Sequence, residues 1–304
     1  MPYPDDSLFP SASLWPEIGP GEGLQLEVFT DDPCPRVAIT LDGLDPSGPS
    51  RVTLWRSAEG GKRRQVRGWS NRLVFGSDFG IDYEVPLGRP VRYDVQLISG
   101  AVTPDELTAY VQVDAEHGFV QDPLIPSGAV AVTGGEGGGT DTIPTLRSSA
   151  FSALQYEMGW NAAQILGSDT PVGLMGQRMV ASGVDFSVFT DAAEQTTALR
   201  QVLRTAAPVL VRTLPAWGDL PDLMYLAASV TEEPLTVPWG GSLTHWVLSG
   251  DQVAPPSLNV LVPLWTYDDV QAVFDAYNYA YRQSLAVTAG ASYLDDQQDP
   301  TLGA

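Results

Sequence analysis

The chain has 304 residues, of which 37 are acidic and 16 basic, giving a formal net charge of −21 at pH 7. So acidic a surface repels phosphate backbones and anionic lipid, which excludes nucleic-acid binding as a primary role. The length allows two domains that each bury a core, and 25 Pro and 30 Gly favour short strands and turns over long helices.

Residues 1–20 are proline-rich, with Phe9, Leu14 and Trp15 scattered among them, and are expected to form an extended N-terminal arm that docks on a neighbour or folds back. The first six residues have neither the basic segment nor the apolar run of a signal peptide, and no stretch approaches the roughly 20 apolar residues of a membrane span. A product that is cytoplasmic, or assembled in a cell and released by lysis, is expected.

From residue 21 to 118 the pattern is that of short strands. Leu24, Leu26 and Val28 alternate with polar neighbours, as do Val37, Ile39 and Leu41. Val52 to Arg56 runs through Ala58-Glu59-Gly60-Gly61-Lys62 and returns at Arg64 to Arg67, which predicts a hairpin. Ile81 to Val85 meets a Pro86-Leu87-Gly88 turn, and Val91, Tyr93, Val95 and Leu97 then alternate with Arg92, Asp94 and Gln96. A period of two predicts one buried and one wet face. With Ala109 to Val113, about seven strands fit an immunoglobulin- or fibronectin-like sandwich, in which Tyr93 occupies the place of a corner tyrosine.

Residues 119–144 are expected to be a linker ending in a glycine-rich run at Gly134 to Gly139, which lacks the lysine of a phosphate-binding loop. Residues 145–264 are expected to form a second β-rich domain. Its strands are predicted at Val184 to Val188, Val209 to Val211, Met224 to Val230 and His245 to Val253. A short helix is predicted at 191–204, opened by a capping box at Asp191 to Glu194. Residues 265–304 are read as a helix with Phe274, Tyr277, Tyr279 and Tyr281, followed by an acidic tail at Asp295 to Asp299. The aromatic residues of this helix, with Phe9, Leu14 and Trp15 of the arm, are the candidate subunit-interface residues.

Chemistry-bearing constellations are sparse. His117 and His245 are the only histidines, and neither accompanies a nucleophile elbow. Cys34 stands alone between Pro33 and Pro35, so neither a disulfide framework nor clustered zinc ligands are available. Acidic pairs such as Asp31-Asp32, Asp268-Asp269 and Asp295-Asp296 are expected to be solvated surface rather than a glycosidase acid and base. Arg63, Arg64 and Arg67 form the one local basic cluster, expected to be a solvated turn. No catalytic residue, cofactor or metal is assigned, and the chain is not expected to be an enzyme.

Five segments carry a family likeness. Val52 to Arg56, Lys62 to Gly68, Asp82 to Gly88, Val91 to Tyr93 and Gln121 to Leu124 resemble the N-terminal sandwich of minor tail proteins of actinobacterial siphophages. The likeness continues at Pro208 to Thr213, at a strand around Tyr225 and at Trp265 to Val270. The resemblance implies a structural virion protein of the tail tip. Such a protein forms a homo-oligomeric ring, a hexamer or trimer, with tail tube and hub proteins as partners and DNA passing through without being bound. An alternative is a carbohydrate-binding module recognising the host cell-surface glycan, with Trp69, Trp217 or Trp239 as sugar platforms. A third is an envelope-degrading hydrolase.

Overall fold

The computed structural model describes residues 23–59, 61–100, 107–134, 143–164, 166, 169–178, 180–236 and 240–260. The fold is mainly β, with one α-helix among the described residues. The N-terminal arm, the tail from residue 261 and the interface candidates Phe9, Leu14, Trp15, Phe274, Tyr277, Tyr279 and Tyr281 lie outside them.

Two sheets make up the first unit. One has the order β1 (Leu24–Phe29), β2 (Arg36–Leu41) and β6 (Asp78–Asp82). The other has β4 (Arg64–Gln65), β3 (Ser50–Ala58), β7 (Pro90–Ser99) and β8 (Thr108–Gln112), with β5 (Arg72–Val74) also paired to β3. Alternation decides the registers: Leu26 pairs with Ile39 and Val28 with Val37 in one sheet, Val52 with Leu97 and Leu54 with Val95 in the other. Their inner faces share one core that includes Ile39, Leu41, Leu54, Trp69, Val91 and Tyr93. Gly80 of β6 is required by this core, since a Cβ there would stand 2.6 Å from the Trp69 indole nitrogen. The predicted hairpin closes between β3 and β4, and the strand predicted at Ile81 to Val85 ends at Asp82, where the chain turns.

The second unit is a seven-stranded sheet. It contains β9 (Gly118–Asp122), β10 (Ile125–Val132), β11 (Thr145–Leu146), β14 (Val184–Thr190), β15 (Val209–Arg212), β16 (Leu223–Pro234) and β17 (Thr244–Gln252), in the order β10-β9-β15-β16-β17-β14-β11. β12 (Met158–Ala163) and β13 (Val172–Arg178) form a separate two-stranded sheet. The range read as a linker therefore carries two strands of the larger sheet. All five residues of β9 are buried, because it lies between β10 and β15 and is covered on both faces.

Helix α1 (Ala193–Thr205) packs on β9, β10 and β14. The capping box is offset by one residue from the prediction: Ala192 is the N-cap and has no side-chain acceptor, and Gln195 reaches back to the backbone N–H groups of Asp191 (3.0 Å) and Ala192 (3.4 Å).

Alternation in the large sheet separates two environments. Val120, Val209, Val211, Met224 and Leu226 join Leu199 and Val202 of the helix in a second core. The opposite face of the same strands carries Phe119 and Gln121, Leu210 and Arg212, and Leu223 and Tyr225, since residues paired across antiparallel strands share a face. That face meets the first unit: Phe119 belongs to the first core, and Trp217 packs against both.

Candidate functional site

The residues that join the two units are charged and almost fully buried. Their hub is the four-residue segment just after β6 begins to turn, Asp82-Tyr83-Glu84-Val85. From β3, Arg56 ion-pairs with the Asp82 carboxylate and reaches Glu84 Oε2 at 3.4 Å. From the loop after β4, Arg67 donates its Nε (2.9 Å) and a terminal nitrogen (2.7 Å) to Glu84 Oε1. The Tyr93 hydroxyl of β7 donates to Asp82 Oδ2 at 2.8 Å.

The large sheet supplies the other half. The Tyr225 hydroxyl donates to Glu84 Oε2 at 2.9 Å, Arg212 donates twice to the Val85 carbonyl (2.9 and 3.2 Å), and Gln121 Nε2 donates to the Tyr83 carbonyl at 3.1 Å. Arg67 extends the contact by donating to the carbonyl of Ser257, and the Gly68 N–H donates to the Leu258 carbonyl at 2.8 Å. At the rim, Arg89 pairs with Asp222 at 3.1 Å.

A buried carboxylate is tolerated only when its lone pairs are satisfied. Glu84 accepts from Arg56, Arg67 and Tyr225, and Asp82 from Arg56, Tyr93 and the Glu84 N–H at 2.9 Å. Burial pushes the Tyr93 and Tyr225 phenols well above their ordinary range, reinforced by the adjacent carboxylates, so both remain donors. Burial opposes the charge on Arg56, but Asp82, Tyr225, Glu84 and Tyr93 together outweigh it and hold the guanidinium charged. With guanidinium, phenol and amide donors gathered on two carboxylates and two backbone carbonyls, this arrangement clamps the two units together.

Beside the clamp a cleft of about 410 Å³ opens between Lys62 and Arg64 of the first unit and Tyr156, Asp222 and Leu223 of the second. Burial raises the Asp222 carboxyl, with Arg89 opposing.

The sequence-based candidates disperse. The basic cluster divides: Arg63 is exposed and lies over the Trp55 ring at 4.6 Å, Arg64 lines the cleft, and Arg67 is buried in the clamp, against the expectation of a solvated turn. Tyr93 occupies a strand as expected, but its hydroxyl serves a carboxylate rather than a backbone carbonyl. Trp69 is 1% exposed and no platform for sugar, Trp217 is packed between cores, and Trp239 lies outside the described residues. His245 pairs with Glu233 at 2.8 Å and stacks on Phe189. Asp31 ion-pairs with the buried Arg36.

The clamp was not recognised from the sequence. A signal was present: Asp82 and Glu84 flank Tyr83 in a run otherwise apolar, and Arg212 ends the apolar β15, charge where periodicity demands a core. Among the described residues no group of His, Cys, Asp and Glu could hold a metal ion, and no helix is long and apolar enough to cross a membrane. Comparison with protein-family models, with curated proteins and with solved structures finds no match for this chain.

Proposed function

We propose that the chain is a structural virion protein of a siphophage tail tip, forming a ring of identical copies that joins the tail tube to the host-recognition apparatus. In this reading the first unit is an immunoglobulin- or fibronectin-type sandwich, for which the facing sheets β1-β2-β6 and β4-β3-β7-β8 are the support.

One observation carries the proposal. Of the short segments in which the chain resembles minor tail proteins, those within the described residues contribute to the clamp or its immediate surroundings: Arg56, Arg67, Asp82 and Glu84, Tyr93, Gln121, Arg212 and Tyr225, while Trp265 to Val270 lies outside the described residues. Motifs scattered over about 170 positions thus serve one physical task, holding two β units in a fixed relation. A subunit that passes mechanical load between a tube and a receptor-binding apparatus needs that rigidity. The charge of −21 suits a ring through which DNA passes without sticking.

The test is the mass of the purified chain, alone and mixed with tail tube and hub proteins, by light scattering or native mass spectrometry. A hexamer, a trimer or a stoichiometric complex with those proteins is expected. A monomer indifferent to them overturns the proposal.

A further inference from the structure

The two-stranded sheet β12–β13 has no buried side chain among those described. Every residue from Asn161 to Gln177 whose side chain is described is exposed, on both faces of the hairpin. Among them, Leu166 at the tip is 103% exposed, Met175 is 72% and Val172 is 47%. The strands pair with each other, Trp160 opposite Met175 through Ala163 opposite Val172, and among the described residues with no other sheet. A lone two-stranded hairpin is marginal in water and gains stability when a further strand or an apolar surface covers it.

Among the described residues nothing pairs with the backbone N–H and C=O groups of the hairpin's two outer edges. They lack the usual protection, since no lysine lies in either strand, Pro171 precedes β13 rather than interrupting it, and the bulge sits at the base, between Met158 and Trp160. From Met158 to Arg178 the only charged residues are Asp169 and Arg178, a net charge of zero within a chain of −21.

That neutrality selects the occupant. Copies of so acidic a chain repel one another over most of their surface and can approach only where charge is absent. The hairpin is such a place, and its edges are complementary to the same edges on another copy. An anionic lipid surface finds no cluster of cations here. We infer that the β12–β13 hairpin is a self-association arm, pairing edge to edge with the hairpin of a second copy and burying Leu166, Val172 and Met175. This rests on the ring reading above only for the number of copies; the contact itself requires no tail partner.

The test compares the wild-type chain with the double variant Leu166→Ser, Met175→Ser by light scattering across a concentration series. Far-ultraviolet circular dichroism and the thermal transition confirm that the variant is folded. The expected result is a wild-type multimer and a variant reduced to the 32.6 kDa monomer. A dimer in place of a ring, lost in the variant, upholds the arm and overturns the ring. A multimer that the variant leaves intact overturns the arm and spares the ring. A wild-type chain monomeric at every concentration overturns the arm, whether or not it joins a complex with tail proteins.

A second measurement does not depend on the double variant. Cys34 is 1% exposed, so an environment-sensitive thiol dye on the variant Met175→Cys reports on the hairpin alone. Its emission should shift to the blue as the multimer forms; constant emission across that transition overturns the arm. Flotation of the wild type, but not of the double variant, with phosphatidylcholine vesicles and without any multimer would assign the hairpin to a lipid surface instead and overturn it as well.

Discussion

The junction between the two units and the β12–β13 hairpin invert each other. At the junction, Arg56, Asp82, Glu84 and Arg212 are at most 2% exposed, where globular proteins ordinarily place apolar side chains. In the hairpin, Leu166 and Met175 stand in solvent where charge is the norm. The difference concerns where each region finds its partners. The buried carboxylates Asp82 and Glu84 find their guanidinium partners within the chain and favour one arrangement of two layers, because separating the layers would leave them unpaired in a dry environment. Exposed apolar residues that no described element covers are, in the proposal above, where a second copy would dock.

The most direct way to break the first half of that comparison is Glu84→Ala. It takes the Glu84 carboxylate from Arg67, leaves Arg56 with Asp82 alone, and removes the acceptor of Tyr225. A loss of about 3–5 kcal/mol is expected on urea denaturation, the range for deleting one member of a buried ionic network. If the clamp is what makes the units cooperative, the single transition should also split into two. A loss below about 1 kcal/mol would show that apolar packing around Phe119 and Trp217 carries the junction.

Gly118→Ala tests that apolar alternative. A Cβ at this position would fall 2.2 Å from the Trp217 ring and 2.8 Å from the Arg212 carbonyl, so the indole that packs against both cores must move. Overpacking of this kind costs about 1–3 kcal/mol, read from the thermal midpoint. Tyr225→Phe should cost less, about 0.5–1.5 kcal/mol, because Glu84 keeps both guanidiniums and loses a single hydroxyl donor. The order of these three losses matters more than any one value: Glu84 above Gly118 above Tyr225 assigns the junction primarily to ions.

How legible each region was follows from the same contrast. Strands such as Leu24 to Val28 and Val91 to Leu97 could be read because one face of each is apolar. The alternation of β9 was hidden because both of its faces are covered: Phe119 and Gln121 serve one layer, Val120 the other, and the Gly-Phe-Val-Gln-Asp run shows no period of two. Its sequence therefore has the look of a linker. The clamp was invisible for a different reason. Glu84 and Tyr225 are separated by 141 positions, and no local pattern shows that two polar residues so far apart share a hydrogen bond. The hairpin escaped because Met158 to Arg178 mixes apolar and small residues without a regular alternation, there being no core to impose one.

The exposed ion pair Arg200–Glu232 sharpens the comparison from the opposite side, since it has the chemistry of the clamp without its burial. Arg200 Nε donates to Glu232 Oε2 at 3.1 Å, linking α1 to β16, and about a third of each side chain remains exposed. The hydrogen bond from Arg200 holds the Glu232 carboxyl below its ordinary range, with slight burial opposing. A carboxylate whose folded pKa is depressed contributes stability that is present above its unfolded value and lost as pH falls through the folded one. Glu232→Gln should therefore destabilise at neutral pH by only about 0.2–1 kcal/mol, the range of exposed pairs, and the deficit should vanish below the carboxylate range. It should also shrink in high salt, because screening acts on an exposed pair and scarcely on a buried one. Denaturation midpoints of Glu232→Gln and Glu84→Ala, measured at low and high salt, separate the two cases: the Glu232 deficit should contract and the Glu84 deficit persist. Equal contraction of both would mean that water reaches the junction and that its ions act as surface charges do.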